Sequence, residues 1–141
     1  MSNFSFKTID VPAAAGTYEF ISVDGVDPAG EAVGNYGNTD GDGDSTFHGL
    51  TASATGNGVN FDPPGSSNTD VVGITSSGEI FGDYTDFANR QYGFVDNNGV
   101  VTQINIFLAN STTVVNDEGV IYGEYADFAN SIHATLTITT A

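Results

Sequence analysis

The chain has 141 residues, enough for one domain with a sizeable core, and sets 18 acidic residues against two basic ones, Lys7 and Arg90, for a net charge of −16. That balance argues against nucleic acid and anionic membranes as partners, because phosphate binding needs clustered Lys and Arg. The absence of cysteine excludes disulfides and thiolate chemistry, while 18 Gly, 6 Tyr and 10 Phe suit turns and strands.

The opening MSNFSFKTID lacks an apolar core of signal-peptide length, and no stretch approaches the roughly 18 apolar residues of a membrane helix. The expectation is a soluble protein, secreted or extracellular by a route without a visible amino-terminal signal, with the cytoplasm as the alternative. Residues 3–10 read as a strand ending in TID. PAAAG at 12–16 is bracketed by Pro and Gly and is too short for a helix.

GEAVGNY at 30–36 follows and is the first of three copies of one phrase, the others being GEIFGDY at 78–84 and GVIYGEY at 119–125. Flanking phrases recur with it. TIDVPAAAGT at 8–17 matches NFDPPGSSNT at 60–69 and QINIFLANST at 103–112, and FHGL at 47–50 matches QYGF at 91–94 and, more loosely, IHAT at 132–135. The single domain 1–141 therefore divides into repeats of about 8–59, 60–102 and 103–141, each of four short strands. Ile80, Gly82 and Tyr84 alternate with Phe81 and Asp83, the period of two of a strand. A glycine central in a strand packs nothing, so Gly34, Gly82 and Gly123 imply that a backbone or a ring passes close by, the tyrosines two residues on being candidates for the ring. DNNG at 96–99 is a tight hairpin signal. The chain ends on the third strand of a repeat, so the strand 3–10 would complete the last unit and remove an exposed edge.

These phrases resemble the bacterial HAF-type probable extracellular repeats. TIDVP at 8–12, GEIFGDYTD at 78–86 and FHGL at 47–50 carry the resemblance, which weakens in the third copy. It implies β-propeller blades and nothing specific about chemistry. Propellers close with four to eight blades, so three blades imply half of a six-bladed ring completed by a homodimer. A monomeric β-trefoil, also three repeats of about four strands, is the competing all-β fold.

Candidate sites lie in the loops. TDGDGDS at 39–45 alternates Asp40, Asp42 and Asp44 with small residues, a spacing that can turn three carboxylates toward one calcium ion. It departs from an EF-hand, with Ser45 in place of the sixth-position glycine and Thr51 in place of the twelfth-position glutamate, so a solvated polar loop is the other reading. TDFANRQ at 85–91 and ADFANSI at 126–132 offer Asp86 and Asp127 as turn caps and Asn89 and Asn130 as left-handed residues. The same loops place Phe87 and Phe128 where an aromatic face beside Asp, Asn and Arg90 could stack on a sugar. His48 and His133 occupy equivalent positions in different repeats, too far apart to share a metal. No nucleophile elbow, phosphate loop or zinc helix is present. A non-catalytic carbohydrate-binding module is thus expected, with a structural or assembly protein and a glycoside hydrolase with unmarked carboxylates as alternatives.

Overall fold

In a computed structural model that describes residues 8–11, 18–39, 45–104, 114–126 and 131–138, the chain is all-β, with no helix among those residues. Among the described residues, eleven strands form three antiparallel sheets. The first holds β1 (Tyr18–Val26), β2 (Ala32–Thr39), β3 (Ser45–Ala52) and β4 (Gly58–Phe61) in chain order. The second repeats that order with β5 (Ser66–Ile74), β6 (Ile80–Asp86), β7 (Gln91–Asn97) and β8 (Val100–Ile104). The third has β9 (Val114–Val115), β10 (Val120–Ala126) and β11 (Ile132–Ile138). Each full sheet closes slightly beyond the sequence boundary of its repeat, because its fourth strand is built from residues that open the next phrase.

The repeated phrase is a turn followed by a strand. Its first glycine, at Gly30, Gly78 and Gly119, has φ of 85°, 87° and 76°, the left-handed region that glycine enters without a Cβ penalty. At each turn the amide of that glycine donates to the carbonyl three residues back: Asp27, Thr75 and Asn116. The side chains of the same three residues cap the turn, Asp27 Oδ1 accepting from the Glu31 amide, Thr75 Oγ1 from Glu79 and Asn116 Oδ1 from Val120. The hairpin at 96–99 forms as expected, with Asn98 and Gly99 both at positive φ between paired Asn97 and Val100.

The second glycine of the phrase answers to backbone rather than to a ring. A methyl on Gly34 would collide with the Ser22 carbonyl oxygen, and one on Gly82 with that of Asp70, because β1 and β5 each carry a bulge opposite it. The tyrosines, expected as candidates for that close approach, do something else. Buried Tyr36 stacks on His48 and donates to Asn60 Oδ1 at 2.7 Å, and buried Tyr84 packs on Tyr92 and donates to Gln103 Oε1 at 2.7 Å.

Two apolar clusters bind the sheets face to face. Val33 and Phe61 of the first sheet pack with Val71, Ile80, Tyr84 and Phe94 of the second. The opposite face of the second sheet offers Phe81, Val72, Val95 and Ile104 to Val115 and Ile121 of the third. This is the alternation anticipated for β6, with Ile80 and Tyr84 on one side and Phe81 on the other. Asp10 forms an isolated parallel bridge with Asn57 beside β4; residues 3–7, the rest of the strand expected to complete the last unit, lie outside the described residues.

Candidate functional site

The three loops singled out in the sequence occupy one topological position. TDGDGDS joins β2 to β3, TDFANRQ joins β6 to β7, and ADFANSI joins β10 to β11. At the other end, the turns preceding those central strands lie side by side. Gly78 sits next to Asp27, and Asp117 Oδ1 accepts from the Ser76 amide at 2.7 Å. Equivalent turns therefore line up along the array. Asp40, Asp42, Asp44, Asp127, Phe128 and Asn130 lie outside the described residues; Asp86, Phe87, Asn89 and Arg90 lie within them.

Asp86 organises its loop. Oδ1 accepts the amides of Ala88 and Arg90 at 2.8 and 2.9 Å, while Oδ2 takes the Arg90 Nε and Nη2 donors, both at 2.7 Å. The Arg90 amide first, then the guanidinium, hold the Asp86 carboxyl below the usual carboxylate range, and the same contact raises the pKa of Arg90. Asn89 has φ of 59°, the left-handed geometry foreseen for it. Pinned at both ends, the loop projects Phe87, which is 84 % exposed.

Beside that ring lies an open cleft of about 510 Å³ between the loop and the Pro63–Ser66 turn. Tyr84, Tyr92, Arg90 and Gln103 line it, with Pro64 on the facing wall. The Arg90 guanidinium carbon stands 5.8 Å from the centre of the Tyr92 ring. Burial first, then the neighbouring Tyr92 and Asp86, push the Tyr84 hydroxyl above its ordinary pKa, so it stays a neutral donor. The cleft thus combines aromatic faces, a cationic fork and amide groups, a set suited to hydroxyl-rich ligands. The sequence marks Tyr84 through the repeated phrase as a packing residue, and it marks neither Tyr92 nor Gln103 as part of a site. Reading 85–91 as a hairpin would have found the two tyrosines, since it pairs Tyr84 with Tyr92.

His48 lies on β3. Its Nδ1 lies 2.8 Å from Asp62 Oδ2, which also accepts from Asn60 Nδ2. His133 is on β11 and exposed. Among the described residues, no group of three His, Asp or Glu side chains gathers into a metal site. Comparison of the chain with protein-family models, with curated proteins and with solved structures finds no match.

Proposed function

We propose that the chain is a non-catalytic carbohydrate-binding module that presents its sites on the loop rim. One observation carries the reading: Asp86 spends both its oxygens fixing a loop whose exposed Phe87 stands over a cleft of Tyr92, Arg90 and Gln103. A fixed aromatic platform beside convergent donors and acceptors is a sugar-binding arrangement, and a carboxylate so occupied is poorly placed for acid or base work. Repetition of the loop would add avidity on a polyvalent glycan. In the same reading the module works outside the cell, in keeping with its likeness to the HAF-type repeats, and calcium braces the loop carrying Asp40, Asp42 and Asp44.

The finer architecture belongs to this proposal. The three sheets are blades of a propeller, half of a six-bladed ring. Support comes from the repeated meander order and from the second sheet packing one face on the first and the other on the third. A trefoil would instead close within one chain.

A glycan array probed with wild type, with and without calcium, and with Phe87→Ala tests the binding reading. Wild-type signal that Phe87→Ala loses supports it; a blank array at high protein concentration overturns it.

A further inference from the structure

The repeat exposes a mismatch. Val26, Ile74 and Val115 occupy the same register position, paired with Ala32, Ile80 and Ile121 respectively. Val115 is 6 % exposed because the Phe81 face of the second sheet covers it, and Ile74 is packed against the Val33 cluster of the first. Among the described residues no sheet precedes Val26, which is 63 % exposed. Ile21 and Val23 on the same strand are also exposed, whereas their counterparts Thr69 and Val71 are buried.

The opposite end of the array shows the converse. Val33, Phe81 and Tyr122 are equivalent positions in β2, β6 and β10. Val33 and Phe81 cover the next sheet and are buried, Phe81 at 7 %, while Tyr122, with no sheet after it among the described residues, is 47 % exposed beside exposed Val114. Ala32, Tyr36, Leu50 and Ala52 on the same face of the first sheet are buried. It is therefore the β1 strip of Ile21, Val23 and Val26 that lacks, among the described residues, the cover a Tyr122 face supplies, and Tyr122 lacks the surface a Val26 strip supplies.

We infer that the face of the first sheet bearing Ile21, Val23 and Val26 receives the Tyr122 face of the third sheet of a second copy of this chain. Tyr122 sets against Val26 as Phe81 sets against Val115. A head-to-tail contact of this kind propagates unless the rotation closes it. Three sheets are too few and nine too many for a ring of four to eight, so two copies close it, with the same contact made twice. The inference rests on the ring reading and deepens it by naming the faces that meet.

The chain has no cysteine, so paired substitutions report the contact cleanly. The full chain carrying V26C and Y122C is oxidised mildly and compared with wild type and Val26→Asp by light scattering and non-reducing gels. The expected result is a wild-type particle of twice the 14.6 kDa chain mass, a covalent dimer from the double variant, and a monomer from Val26→Asp that keeps its far-UV spectrum. A monomeric wild type at about 100 μM, far above the Kd of a stable dimer, overturns both ring and interface. A dimer that neither cross-links nor responds to Val26→Asp overturns the face assignment and leaves the ring standing. Disulfide formation within a monomer means that a chain closes on itself, and a ladder of higher species means an open filament; either overturns the two-copy ring.

Discussion

The side-chain amide of Asn35 and the peptide of Val71 form a two-bond pair between the first and second sheets. The Val71 amide donates to Asn35 Oδ1 at 2.7 Å, and Asn35 Nδ2 donates to the Val71 carbonyl at 2.8 Å. Val71 sits at a bulge where β5 leaves the register of β6, so the foreign side chain serves as the missing ladder partner.

Asn35→Leu is therefore expected to destabilise the chain by about 1–3 kcal/mol, the cost of stranding buried peptide groups. Denaturant unfolding checks this, and a variant within 0.5 kcal/mol of wild type, about the scatter of neutral surface changes, would show that water replaces the bonds.

Asn35 Nδ2 also donates to Asp24 Oδ2 at 3.0 Å and Asp70 Oδ1 at 3.1 Å, holding two carboxylates close together. Burial and then the Asp24 charge raise the Asp70 pKa above its ordinary 3.8, outweighing the hydrogen bond from Asn35. A raised carboxyl pKa means that the folded state binds the proton more tightly, so this group adds stability as pH falls through its folded value and opposes folding above it. Asp70→Asn should raise Tm at pH 7, with the advantage shrinking as the pH approaches 3.8. A variant whose advantage is constant from pH 4 to 7 would remove the titration as its cause.

The two glycines of the phrase predict different losses. Gly82→Ala drives a methyl into the Asp70 carbonyl, a backbone atom that cannot turn aside, and should cost more than about 2 kcal/mol or prevent folding. Gly65→Ala, with φ of 85° and open space around it, should cost only about 1 kcal/mol from the left-handed backbone. Melting curves of both variants settle the order, and equal losses would refute the steric account.

At the rim, Phe87→Ala should leave Tm unchanged, since the ring stands in solvent, yet weaken binding to an array-selected glycan about tenfold, the equivalent of 1.4 kcal/mol. Asp86→Ala should weaken it as well by releasing the loop, with faster proteolysis at residues 87–90 as the sign that geometry was lost. Retained affinity in both variants would move the site elsewhere.

Calorimetric titration checks the loop at 39–45. Calcium uptake by wild type that Asp42→Asn abolishes is expected, and no heat from wild type would leave the three aspartates as a solvated turn.

Much of this arrangement is legible before folding. Period-two alternation at residues 80–84 assigns the faces of β6, and Asn98–Gly99 specifies a hairpin through positive φ that few other residues tolerate. Asp86 as a cap and Asn89 as a left-handed residue follow from side-chain reach alone. These are local facts, determined by residues within a few positions of one another. The repeat itself makes them countable, because one phrase builds the same capped turn three times.

What only tertiary structure decided is which surfaces meet. Gly82 answers to the Asp70 carbonyl, Asn35 to the Val71 peptide, and Tyr84 to Gln103, all across distances in sequence that no period encodes. The cleft beside Phe87 exists because a separate turn at Pro64 faces the hairpin, and Val26 differs from Val115 in having no sheet before it among the described residues. The repeated phrase writes each sheet identically, but burial depends on the neighbour, and neighbours are a property of the folded array.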